Sequence, residues 1–88
     1  MADLIARGQE KIAWARAHMP VLAQLGEELR DSGALAGLRM AISVHLEAKT
    51  AVLPLTLHEA GAQVAVTSSN PLSTQDDVAA ALAAAGLV

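Results

Sequence analysis

Residues 38–68 read LRMAISVHLEAKTAVLPLTLHEAGAQVAVTS, and this stretch decides the fold. Leu38 to Val44 is a mainly apolar run about six residues long, the length of a short strand. Its near-continuous apolar character predicts burial on both faces, as in parallel sheets. Glu47 to Ala60 reads as a helix with Pro54 inside it. Proline in a helix interior costs about 3 kcal/mol, so a kink or a late helix start is expected there. Gly61 closes the helix, and Gln63 to Ser68 forms a second strand. Strand, helix and strand in this order make a parallel crossover, right-handed by a strong general rule. Such a unit belongs to an open α/β sheet with helices on both faces.

The flanks extend this unit in both directions. On the C-terminal side, Ser69-Asn70-Pro71-Leu72 is a turn, and Ser73 or Thr74 is placed to cap a further helix. Asp76 and Asp77 fall in its first turn, where the helix dipole favours carboxylates. That helix runs through an alanine-rich stretch to Gly86, and Leu87-Val88 reads as the start of a third strand. On the N-terminal side, Ile5, Gly8, Ile12, Ala15 and Met19 recur at spacings of three and four between Asp3 and His18, so they share one helix face. Pro20 opens a second helix, with Val21, Leu22, Leu25 and Leu29 as its apolar stripe and Gly33 as its stop.

The expected architecture is two helices, about 3–18 and 20–32, followed by a βαβα unit over about 38–86. Two strands make a poor sheet. The chain therefore reads as the start of a doubly wound parallel, Rossmann-like domain, cut before its third strand. The alternative is a complete small domain whose sheet is finished by an oligomeric partner.

Composition narrows the function. Eighty-eight residues allow one domain at most, and a hydrophobic content of 53% excludes disorder as the main state. The net charge is −3 and the six basic residues are scattered, which argues against a nucleic-acid partner. There is no cysteine, so disulfides and thiolate metal sites are excluded. The longest apolar run, Val78 to Val88, is too short to span a bilayer, and Asp3 and Glu10 interrupt any leader-like N-terminus. No membrane association and a cytoplasmic setting are expected.

Chemistry is expected where ligands bind in open parallel sheets, outside the carboxyl ends of the strands. Two polar loops stand there, 44–50 and 68–76. His45 is either a general acid or base or a neutral histidine hydrogen-bonded at a strand end. Glu47 and Lys49 are two apart and share no helix face; both reach a ligand only from loop conformation. Asn70, Ser73 and Gln75 carry donors and acceptors, although a turn followed by a capping box accounts for most of that segment. No dinucleotide fingerprint, Walker loop or metal-ligand set occurs; Asp76-Asp77 alone is no metal site.

Three stretches together carry a resemblance: Trp14-Ala15-Arg16-Ala17-His18-Met19-Pro20, Val44-His45-Leu46-Glu47-Ala48-Lys49-Thr50-Ala51, and Ser69-Asn70-Pro71-Leu72-Ser73-Thr74-Gln75-Asp76-Asp77. In order and spacing, across essentially all of the chain, the sequence resembles the N-terminal segment of the S-adenosylhomocysteine hydrolases (adenosylhomocysteinases), in the branch found in thermophilic bacteria and archaea. The resemblance implies a homo-oligomeric enzyme, usually a tetramer, that reversibly splits the nucleoside thioether S-adenosylhomocysteine into adenosine and homocysteine. It implies a tightly bound NAD that oxidises the ribose 3′ carbon before the thioether is eliminated, and re-reduces it after water adds.

The resemblance also implies roles. His45 matches a histidine near the ribose and the sulfur-bearing carbon, placed for proton handling. Glu47, Lys49, Thr50, Asn70, Ser73 and Gln75 match substrate-contacting positions; Glu47 and Lys49 stand where many members have threonine and glutamate, departures that the thermophile-like branch shares. The chain would be the N-terminal part of the substrate-binding domain, without the NAD-binding domain and inactive alone. Two alternatives stand beside it: a non-catalytic binding or interaction module derived from that enzyme, and a hydrolase preferring S-inosylhomocysteine.

Overall fold

The computed structural model describes residues 2–70 and 72–87. Its elements are α1 (Ala2–Ala17), α2 (Pro20–Ser32), β1 (Arg39–Val44), α3 (Ala48–Glu59), β2 (Gln63–Ser68) and α4 (Asp76–Ala84). The two strands pair in parallel, in register from Arg39 opposite Gln63 to Val44 opposite Ser68, with α3 as the crossover. This is the α/β arrangement expected from 38–68. Pro20 occupies the first turn of α2, and Gly33 ends it in the left-handed conformation at φ 69°, as its lack of a Cβ permits. Helix α3 begins at Ala48 and continues through a buried Pro54, so the late start is not seen.

The sheet departs from expectation in one respect. Burial alternates along both strands. Met40, Ile42, Val44, Val64 and Val66 pack into the core with Ile12, Ala15, Val52, Val78, Leu82 and Leu87 from the helices and the C-terminal stretch. The opposite face, including Arg39, Ala41, Ser43, Gln63, Ala65 and Thr67, is exposed. The exposed positions are small or polar, so the apolar run hides a period of two behind its alanines.

Backbone bonds locate the next strand position. Gln63 donates to the Leu38 carbonyl at 2.8 Å and Ser69 to that of Val44 at 2.9 Å, so odd residues of β2 face β1. Val66 N–H points to the other edge and donates to the Leu87 carbonyl at 2.7 Å. Leu87 thus docks beside β2 where a third strand was read; Val88 lies outside the described residues.

Helix α1 meets α4 more closely than side chains would allow. A Cβ built on Gly8 would lie 1.9 Å from the Asp77 carbonyl oxygen, so only glycine fits there. Lys11, one turn on, reaches the Asp77 carboxylate with Nζ–Oδ2 at 2.7 Å. Gly8, Ile12 and Ala15 are buried as the helix-face reading expected. The stripe assigned to α2 is less buried: Val21 and Leu25 remain 72% and 47% exposed. Helix α4 starts at Asp76 behind Gln75, which makes no side-chain cap. The cap expected from Ser73 or Thr74 is therefore not formed: the Thr74 hydroxyl is used within the loop, and that of Ser73 meets His45. The turn expected at 69–72 includes Pro71, which lies outside the described residues. Among the described residues, no helix is long and apolar enough to cross a membrane.

Two outcomes follow from the α1–α4 contact. Gly8→Ala forces the helices apart despite its better helix propensity, and denaturant unfolding of the variant is expected to show a loss of about 1–3 kcal/mol. The Lys11 ammonium holds the Asp77 carboxyl below its ordinary range, chiefly through their hydrogen bond. A depressed folded-state pKa gives stability that is present above the unfolded value and is lost as pH falls through the folded one. The stability advantage of the native chain over Asp77→Asn should therefore be larger at about pH 6 than at about pH 3 in parallel denaturation series.

Candidate functional site

Parallel pairing makes both strands leave the sheet at the same end, so the loops after Val44 and Ser68 start side by side. A backbone bond ties them further on: Gln75 N–H donates to the Leu46 carbonyl at 2.9 Å. Leu46 is buried and anchors the first loop in the core. His45 and the residues of the second loop are thus held together by the fold itself.

The first loop is closed by local hydrogen bonds. Thr50 Oγ1 donates to the His45 carbonyl and accepts from Glu47 N–H at 3.1 Å. The Glu47 side chain accepts from the Thr50 backbone N–H, completing a capping box at the start of α3. Glu47 and Thr50, both read from the sequence as ligand-facing, therefore also shape the helix start. Lys49 is exposed and lines an open, mainly apolar groove with Met19, Leu22, Leu25 and Leu53.

The second loop winds around Asn70. Its side-chain Oδ1 accepts from Leu72 N–H at 2.9 Å, and its carbonyl accepts from Thr74 Oγ1 at 3.0 Å and Ser68 Oγ at 3.0 Å. The Ser68 and Thr74 hydroxyls also bond to one another. The Ser73 Oγ lies between the two loops, 3.1 Å from the Asn70 carbonyl oxygen and 2.5 Å from His45 Nδ1. This is the one side-chain bond between the two loops among the described residues. Gln75 enters the tie through its backbone, and its exposed side chain makes no helix cap.

Of the positions singled out from sequence, His45 and Ser73 are in direct contact, with Thr50 and Asn70 each one bond away. Glu47 is engaged at the helix start; Lys49 and Gln75 stand exposed. The Ser68–Thr74 pair and the Lys11–Asp77 bridge were not read from the sequence. The first joins two hydroxyls six residues apart across a loop, and the second a lysine to a carboxylate 66 residues away; neither carries a local sequence signal. Among the described residues, no cluster of three or more His, Cys, Asp or Glu could hold a metal ion.

Comparison with known proteins gives this arrangement a family. The sequence model for S-adenosyl-L-homocysteine hydrolase matches residues 2–88. The chain is 56% identical over 80 residues to S-inosyl-L-homocysteine hydrolase of Methanosarcina mazei, covering 91% of this chain and 20% of that protein. It is 51% identical over 85 residues to S-inosyl-L-homocysteine hydrolase of Methanocaldococcus jannaschii, covering 97% of this chain and 20% of that protein. It is 50% identical over 80 residues to adenosylhomocysteinase of Thermotoga maritima, covering 91% and 20% respectively. The chain spans about a fifth of the length of these curated relatives. With a family match across residues 2–88 and two strand-end loops joined through His45 and Ser73, the chain belongs to the S-adenosyl-L-homocysteine hydrolase family.

Proposed function

We propose that this chain is the N-terminal part of the substrate-binding domain of a cytoplasmic, homo-oligomeric enzyme. That enzyme splits a nucleoside–homocysteine thioether, S-adenosyl-L-homocysteine, into adenosine and L-homocysteine. The observation that carries this reading is the paired loop site in a chain of this family. His45, at the carboxyl end of β1, is held from the second loop by Ser73. In that role His45 handles a proton near the ribose, and Glu47, Lys49, Thr50, Asn70, Ser73 and Gln75 border the substrate.

NAD belongs to the proposed reaction but finds no seat in these loops. Neither the loop after β1 nor that after β2 contains a glycine, and close backbone approach to a pyrophosphate requires one. The proposal therefore places NAD outside residues 1–88 and assigns these loops to the thioether alone.

Two measurements test the reading. The purified 88-residue chain is expected to bind no NAD in equilibrium dialysis and to release no adenosine; tight NAD binding would overturn the assignment. Grafting residues 2–88 into the Thermotoga maritima enzyme in place of its matching segment is expected to give an active hydrolase. In that chimera His45→Ala is expected to lower kcat by about a hundredfold to ten-thousandfold, the usual reach of a general acid or base. An active wild-type chimera insensitive to the substitution would remove His45 from the chemistry.

A second reading concerns the purine and is favoured by Lys49. A lysine donates only; it suits the N1 acceptor of adenine and, equally, the 6-oxo group of hypoxanthine. A glutamate there would instead accept from the adenine amino group. Glu47 is already partly engaged by the Thr50 N–H, so Lys49 is the freer of the two to read a base. Lys49→Glu in the chimera is expected to shift the ratio of kcat/KM for the adenosyl over the inosyl compound by about ten- to a hundredfold, the effect of one mismatched buried donor. An unchanged ratio would remove Lys49 from base recognition.

A further inference from the structure

The hydroxyls around Asn70 can be assigned by counting protons. Four donors crowd the Asn70 carbonyl oxygen: Ser73 N–H at 3.2 Å, Ser73 Oγ at 3.1 Å, and the Thr74 and Ser68 hydroxyls at 3.0 Å each. A carbonyl has two lone pairs. The backbone N–H of Ser73 has a fixed direction and takes one. Ser68 and Thr74 bond to each other, so one of their two protons lies between them. The other is left for the second lone pair of Asn70.

The Ser73 hydroxyl proton is then the surplus one, and its other neighbour is His45 Nδ1 at 2.5 Å. The proton count makes Ser73 the donor and Nδ1 the acceptor.

We propose that Ser73 is a positioning residue: its hydroxyl donates to Nδ1, fixes the His45 ring, and keeps the neutral imidazole in the Nε2–H form. The other ring nitrogen has no hydrogen-bond partner among the described residues, and His45 is exposed. His45 therefore offers an oriented N–H donor to an acceptor atom of the bound nucleoside, such as a ribose oxygen. Ser73 acts through the histidine and not through its own contact with the substrate. This inference rests on the proposed role of His45, and it narrows the role of Ser73.

Two-bond proton–nitrogen correlation spectra of the 15N-labelled chain read the tautomer directly, independently of activity. The native chain is expected to show neutral His45 in the Nε2–H form alone. Ser73→Ala is expected to give a tautomer mixture with an averaged ring, and Ser73→Thr is expected to restore the native pattern. An Nδ1–H ring in the native chain, or an unchanged pattern in Ser73→Ala, would overturn the proposal.

The chimera supplies a second readout that decides alone if the free chain gives poorly dispersed spectra. Ser73→Ala is expected to lower kcat by about tenfold, a fraction of the effect of losing a general acid or base outright, with KM unchanged. A raised KM with native kcat would mean that Ser73 binds substrate directly, and would overturn its positioning role. If His45→Ala leaves turnover intact while the spectra still show the Nε2–H form, the catalytic reading of His45 fails and the Ser73 bond stands.

Discussion

The parallel register of β1 and β2 is the constraint on which the site depends. Antiparallel strands would send consecutive loops to opposite ends of the sheet. The parallel pair aligns Val44 with Ser68, so the next residues of both strands emerge side by side, 24 positions apart in sequence. Only a crossover long enough to return along the sheet permits this, and α3 supplies it. Its sequence serves both ends of that task. The Glu47–Thr50 capping box starts the helix where the loop must turn, and Ala51 and Val52 anchor it in the core while Thr56 faces Gly26 of α2.

Given that placement, the loops are stiffened by their own polar groups. Asn70, Ser68 and Thr74 form a closed set of hydrogen bonds, which holds the second loop without help from a ligand. A loop organised this way has little freedom left to lose, which lowers the entropic cost of binding in the role proposed for it. The same organisation divides labour among the site residues. Glu47, Thr50 and Asn70 are engaged in shaping the protein. The side chains of Lys49 and Gln75 and the outer nitrogen of His45 have no such task among the described residues.

The fold was largely legible in the sequence because each element carries its own local signal. Gly33, Pro20 and Gly61 punctuate the chain, and the spacing of Gly8, Ile12 and Ala15 marks the buried face of α1. What escaped reading was non-local. Alternation along the strands is masked because Ala41 and Ala65 are apolar by composition yet small enough to face water. Ser73 and Thr74 carry the ordinary signature of a helix cap, and nothing adjacent shows that His45 and Asn70 compete for their hydroxyls. The family motifs marked His45 and Ser73 as site residues, but their contact with each other is a consequence of register that no single loop contains.

The least legible part of the molecule is also what steadies the second loop from behind. Asp77 stands two residues past Gln75, whose N–H ties the two loops together. Its carbonyl is pressed against Gly8 and its carboxylate is held by Lys11. Both contacts come from α1, the element farthest from the loops in sequence. The first turn of α4 is thereby fixed in position, and with it the end of the loop that presents Ser73 to His45. A glycine at position 8 costs α1 roughly 1 kcal/mol of helix propensity relative to alanine. That cost is offset by a helix approach too close for any side chain, and this approach sets where the loop ends.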